Sequence, residues 1–126
     1  HRDLHSFPTR RSSDLLQGVS VTFGGLLKKM VRQGDLAARF GGEEFVVVLP
    51  YTGLDQARRF AEKLRAVVEA HQFSDQGRQC PVTISIGVSS LREDQPSSAS
   101  SLLQLADQAL YLAKDGGRNR VETHTM

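Results

Sequence analysis

The sequence predicts an α/β domain, a sheet layered with helices, and three observations carry that prediction. Hydrophobic spacing switches repeatedly between the three-and-four repeat of helices and the alternation of strands. Clusters of glycine, proline and serine fall between these segments. The 126 residues, 39% hydrophobic and 24% charged, suit one folded, soluble domain with a single core and are too few for two.

Val19, Phe23, Leu27, Met30 and Val31 recur at spacings of three and four, which predicts an amphipathic helix over residues 17–32. Gly24 and Gly25 lie inside it, each costing about 1 kcal/mol against alanine. Two short β-type runs, 36–40 and 45–49, flank Gly41-Gly42-Glu43-Glu44 and read as a hairpin. Pro50 and Thr52 then open a helix whose Ala57, Phe60, Ala61, Leu64, Val67 and Val68 share one face. After a polar loop over 74–79, Val82, Ile84, Ile86 and Val88 alternate with Thr83, Ser85 and Gly87, a strand with one apolar face. Pro96 and neighbouring serines mark a loop. Leu102, Leu105, Ala106, Ala109, Leu110 and Ala113 form a last helical stripe, stopped by Gly116-Gly117, and a closing strand is expected over 119–123.

Composition narrows the function. Sixteen Lys and Arg against fourteen Asp and Glu leave a net charge of +2, with no basic stripe of the kind that binds nucleic acid. A lone Cys80 excludes an internal disulfide framework and any Cys-x-x-Cys site, and fits a reducing compartment. No run is long enough to span a bilayer as a helix and none reads as a signal peptide. His71 and His124 have neither metal spacing nor a nucleophile motif beside them, which argues against zinc or hydrolytic chemistry.

Residues 1–15 follow none of the periodic patterns. They are polar, broken by Pro8 and open without Met, the composition of a disordered tail. Residues 5–15 also resemble, codon for codon, the in-frame translation of a widely used sequencing-library adapter. Residues 1–15 are therefore read as a non-native tail and 16–126 as a partial domain, with native sequence ahead of it expected to be missing.

Three places carry candidate chemistry. Adjacent Glu43 and Glu44 after two glycines at a hairpin tip are either a solvated turn or oxygen ligands for a hard cation, with Gly41 and Gly42 letting backbone approach a nucleotide. Lys114, Arg118 and Arg120 around Gly116-Gly117 complement the negative end of a helix, and the same cations can hold a polyphosphate. Arg32 and Asp35 are either a surface ion pair or a guanine-reading pair, since arginine can donate two parallel hydrogen bonds to the O6/N7 edge.

Taken in order, Arg32-x-x-Asp35, Gly41-Gly42-Glu43-Glu44-Phe45, Val82-Thr83-Ile84-Ser85-Ile86-Gly87-Val88, the stretch from Ala106 to Lys114 and Gly117-Arg118-Asn119-Arg120-Val121 resemble the GGDEF family of diguanylate cyclases. The resemblance covers essentially all of 16–126. It implies a nucleotide-cyclase, palm-like α+β sandwich, with a central, mostly antiparallel sheet flanked by helices and here lacking its first strand.

It also implies condensation of two GTP molecules into the bacterial second messenger cyclic di-GMP, each 3′-hydroxyl attacking the other nucleotide's α-phosphate across a homodimer. By position, Gly41 and Gly42 line the nucleotide. Glu43 and Glu44 are the catalytic carboxylates and hold Mg²⁺ or Mn²⁺, Glu43 helping to deprotonate the 3′-hydroxyl. Lys114 and Arg118 bind the β- and γ-phosphates. Arg32 and Asp35 match the family's inhibitory product site, so feedback by cyclic di-GMP is expected. An upstream sensory domain and a cytoplasmic location follow, the parent being either free or anchored to the inner membrane.

Two departures bear on activity. The family's metal-binding Asp and guanine-reading Asn fall where the adapter-like segment stands, and Leu16 and Gln17 occupy the place of a Gly-Asp pair. Little or no cyclase activity is therefore expected of this chain as it stands. The alternative is a non-catalytic module that binds cyclic di-GMP through Arg32 and Asp35, and the last is an interaction domain with no nucleotide role.

Overall fold

The computed structural model describes residues 5–6, 13–40, 44–75, 77–79 and 81–123. In chain order these form β1 (His5–Ser6), α1 (Ser13–Met30), β2 (Leu36–Phe40), β3 (Glu44–Val48), α2 (Leu54–Ala70), β4 (Ser74–Asp75), β5 (Arg78–Gln79), β6 (Thr83–Ile84), β7 (Ile86–Val88), α3 (Leu91–Asp94), α4 (Ala99–Asp115) and β8 (Val121–Thr123). Three strand pairings are antiparallel, β1 with β6, β2 with β3 and β4 with β5, and β7 pairs with β8 in parallel. A parallel pair needs a crossover, and α4 supplies it.

One core joins the helices to the strands. Phe23 and Leu27 of α1, Ala61, Leu64 and Val68 of α2, and Phe45, Phe73, Val82, Ile84, Ile86 and Val88 are buried together. The 3.6-residue stripe of α2 and the alternation along β6 and β7 thus meet at the centre, as their spacing predicts. Among the described residues no helix is long and apolar enough to cross a membrane.

Several elements differ from expectation. Helix α1 begins at Ser13, ahead of 17, and His5 and Ser6, within the segment read as a tail, pair with Ile84 and Thr83. The polar run over 74–79 contains the β4–β5 hairpin, with Gly77 at φ +80°, and α3 stands ahead of Pro96. Thr52 does not cap α2. Gly53 is the N-cap, with no side-chain cap hydrogen bond.

The single strand expected over 82–88 is interrupted at Ser85, β6 pairing with β1 and β7 with β8, and Val82, Ile84, Ser85, Ile86 and Val88 are buried. Gly87 faces a helix, because a Cβ built on it would lie 2.1 Å from the Ala106 carbonyl oxygen and 2.3 Å from the Leu110 nitrogen. Glycine here lets α4 lie directly against β7. Ser85 is fully buried and its hydroxyl has no hydrogen-bond partner among the described residues.

Candidate functional site

Glu44 stands half-buried at the head of β3, paired across the hairpin with Phe40. The next residue, Phe45, fixes the strand: it is buried, and its ring meets that of Phe23 edge-on at 4.8 Å and 69°. Gly41, Gly42 and Glu43 lie outside the described residues. A hard divalent cation takes oxygen donors, and Glu44 is a donor of that kind. Among the described residues, no group of three or more His, Cys, Asp or Glu is placed to hold a metal ion. The donors fit in type, and Glu44 is the described member of the expected pair.

Arg32 and Asp35 are built as a unit by a turn. The Asp35 N–H donates to the Arg32 carbonyl at 3.0 Å, and Gly34 takes the left-handed φ of +98° that a type II turn requires at its third position. This returns the Asp35 carboxylate to Arg32. Its Oδ2 accepts the Arg32 backbone N–H at 2.8 Å and Nε–H at 3.3 Å, and its Oδ1 accepts from Nη2 at 3.4 Å. The backbone N–H first, and then the guanidinium, hold this carboxyl below the usual range.

Arg32 Nη2 also donates to Thr52 Oγ1 at 2.8 Å, whose hydroxyl donates to the Pro50 carbonyl at 3.0 Å. The Asp35 side chain is 3% exposed and that of Arg32 64%, so the acid is spent on orienting a guanidinium that faces outward. Beside it opens a cavity of about 310 Å³ whose lining includes Thr52, Gln56, Arg59 and Phe60. The sequence marked Thr52 only as a residue opening α2 and not as a partner of Arg32.

Lys114 and Arg118 sit at the end of α4. The Gly117 N–H donates to the Lys114 carbonyl at 3.3 Å and the Arg118 N–H to the Ala113 carbonyl at 2.9 Å, with Gly117 at φ +122°. These are the paired bonds of a Schellman cap, which explains the glycine. Arg118 and Asn119 continue in the left-handed region, at φ +65° and +50°, so the closing strand begins at Val121 and not at 119.

Arg120 is part of the turn itself. Its Nε donates to the Arg118 carbonyl at 3.2 Å, and its guanidinium covers the space that side chains at 116 and 117 would need, 2.9 Å and 2.6 Å from their ideal Cβ positions. The three cations grouped in the sequence therefore divide, Arg120 bracing the turn that presents Lys114 and Arg118.

Asn119 ties the turn to α2. Its Nδ2 donates to Glu69 Oε2 at 2.7 Å and its Oδ1 accepts from Arg65 Nη1 at 3.0 Å. Arg65 also bonds Glu69 Oε1 at 3.0 Å, and its Nε bonds Glu62. The Asn119 amide first and Arg65 second hold the Glu69 carboxyl below its usual range, and Glu62 above all raises Arg65. The one sequence signal for this cluster was an asparagine after Gly117-Arg118, the residue besides glycine that best tolerates the left-handed region.

Comparison with known proteins follows the same residues. The sequence profile of the diguanylate cyclase GGDEF domain matches residues 18–120, a span that includes 32, 35, 41–44, 114 and 118. The chain is 45% identical over 98 residues to diguanylate cyclase DgcP of Pseudomonas aeruginosa, covering 78% of this chain and 14% of that protein. Among solved structures, the active GGEEF domain of a Vibrio cholerae diguanylate cyclase matches at 31% identity and TM-score 0.74, over 86% of this chain and 67% of that one. The GGDEF domain of DgcB from Caulobacter crescentus, solved in complex with c-di-GMP, matches at 28% identity and TM-score 0.74, over 84% and 63%. With fold, motif order and profile in agreement over most of its length, the chain belongs to the GGDEF domain family of diguanylate cyclases.

Proposed function

We propose that this domain, in its parent protein, condenses two GTP molecules into cyclic di-GMP. The observation that carries the reading is the family match over 18–120, which takes in all eight candidate residues. The family uses divalent metal ions; here Glu43 and Glu44 hold Mg²⁺, which when bound supplies positive charge at the α-phosphate. Gly41 and Gly42 lie against the nucleotide, and Lys114 and Arg118 hold its β- and γ-phosphates at the end of α4. Glu43 accepts the proton of the attacking 3′-hydroxyl. Each attack forms one phosphorus–oxygen bond and breaks one α–β anhydride, so two attacks close the ring and release two pyrophosphates. Both need a second copy of the domain face to face with the first.

Product feedback belongs to the same reading. The Arg32 guanidinium, oriented by Asp35 and Thr52 beside a cavity, suits the O6/N7 edge of a guanine, and the DgcB structure was solved with c-di-GMP. GTP as substrate and a lone Cys80 support a cytoplasmic location, and the small share of DgcP that is matched fits a parent with further domains, a sensory one among them.

Binding tests the reading on this chain, whose turnover is expected to be low. Excess Mg·GTP should raise the melting temperature by linkage, and the Glu43→Ala/Glu44→Ala variant should lose the Mg²⁺-dependent part of that rise. A melting temperature that Mg·GTP leaves unmoved both in this chain and in the parent protein overturns the proposal.

A further inference from the structure

We infer that Asn119, held by Glu69 and Arg65 of α2, is a positioning residue for Arg118, and that this clamp sets how well the domain distinguishes a nucleoside triphosphate from a monophosphate. The inference rests on the reading of Arg118 as a phosphate ligand. Three consecutive residues, 117–119, have positive φ, and for Arg118 and Asn119 that backbone is strained, because a Cβ crowds the carbonyl in the left-handed region. Strain persists only where the surroundings over-determine it.

Here they do so from both sides of Arg118. Its N–H is fixed on the Ala113 carbonyl and its own carbonyl on Arg120 Nε. The following residue is gripped through both amide atoms, Nδ2 by Glu69 and Oδ1 by Arg65. The Ile86 N–H then takes the Arg120 carbonyl at 3.0 Å and joins the turn to the sheet. The side chain of Arg118 thus leaves a main chain that has one conformation available to it. Arg65 is bound in turn by Glu62 and Glu69, and hydrogen bonds to charged groups of this kind are the stronger sort.

The clamp also has a polarity. Asn119 donates to Glu69 and accepts from Arg65, so asparagine satisfies both partners where aspartate would set two carboxylates against each other. Neither Glu69 nor Arg65 is assigned contact with the nucleotide, so their effect on phosphate recognition has to pass through Asn119.

The test compares GTP with GMP, each titrated with Mg²⁺ onto the chain, in four variants. Arg118→Ala establishes the phosphate contact and should lower the GTP-to-GMP affinity ratio by about tenfold or more. Asn119→Gly keeps the left-handed backbone accessible and removes only the clamp; it should lower the ratio roughly fivefold, leave GMP affinity unchanged and speed amide exchange at Arg118. Asn119→Asp should lower it further. Adding Glu69→Gln to Asn119→Asp reverses the donor and acceptor and should recover most of the loss.

If Arg118→Ala leaves the ratio unchanged, or the unmodified chain binds no GTP, the phosphate reading beneath the inference fails. If Arg118→Ala lowers the ratio while Asn119→Gly leaves both the ratio and the Arg118 exchange rate as they were, the clamp itself is overturned. A double variant no better than Asn119→Asp alone overturns the assigned polarity.

Discussion

The hairpin that carries Glu44 joins the molecule by packing, whereas the turn that carries Arg118 joins it by hydrogen bonds. Among the described residues β2 and β3 pair only with each other, and Phe45 against Phe23 is the buried anchor. The outward pair Leu36 and Val48, opposite each other in the ladder, is 61% and 49% exposed. Between α4 and β8, by contrast, main-chain and side-chain bonds run to α4, α2 and β7. Packing fixes where a strand lies with tolerance for sliding, while directed bonds to a strained backbone fix a single orientation. A charged ligand whose several oxygens must be met at once calls for the second kind of support.

The largest expected effect falls on the packed region. Phe45→Ala removes a buried ring from between α1 and β3 and should lower stability by about 3–5 kcal/mol, read by denaturant unfolding. Amide exchange should accelerate first in the β2–β3 ladder; acceleration spread evenly over β7 and β8 would show that the two regions are not held independently.

Next comes the braced side. In Gly87→Ala the new methyl meets the backbone of Ala106 and Leu110, which cannot yield as a flexible side chain would. A loss of about 3 kcal/mol, the upper end for overpacking, is expected, together with reduced GTP binding as α4 and its terminal turn shift. Native stability in this variant would contradict the direct contact of α4 with β7.

The smallest effect is in pH, and each region supplies one group. Asp35 and Glu69 both have carboxyls held below the usual range, so each binds fewer protons folded than unfolded. Their links are complete above the ordinary carboxylate range and are lost as pH falls through it toward the depressed values. The melting temperature should decline over that window, and Glu69→Gln should flatten part of the decline; an unaltered acid limb would remove Glu69 from the account.

Periodicity made the helices and the main strand legible, because the residues that bury themselves in α2, β6 and β7 are the ones spaced to do so. It could not show that Ser85 is buried or that Gly87 faces a helix, since small residues look the same whether they meet water or another backbone. It could not show α3, a single turn in length, or β4 and β5, two residues each. At the site, motif order named the candidates, and Arg32 and Asp35, three residues apart, are the pair that the structure joins as an ion pair. Thr52 and the Arg65–Glu69–Asn119 cluster were hidden because their partners are brought together only by the fold. On α2 alone, Arg65 and Glu69 read as an ordinary solvated helix pair.

The distance that Asn119 spans along the chain has a kinetic consequence. Its bonds reach back 50 residues to Glu69 and 54 to Arg65, and contacts of such separation form only after the entropy of closing the intervening loop has been met. The Asn119 clamp on the Arg118 turn therefore forms late, once α2 and α4 have assembled. If Arg118 holds phosphate as proposed, a partly folded chain would carry the right residues and still grip a triphosphate poorly, so that nucleotide binding would report completion of folding as well as the presence of the motif.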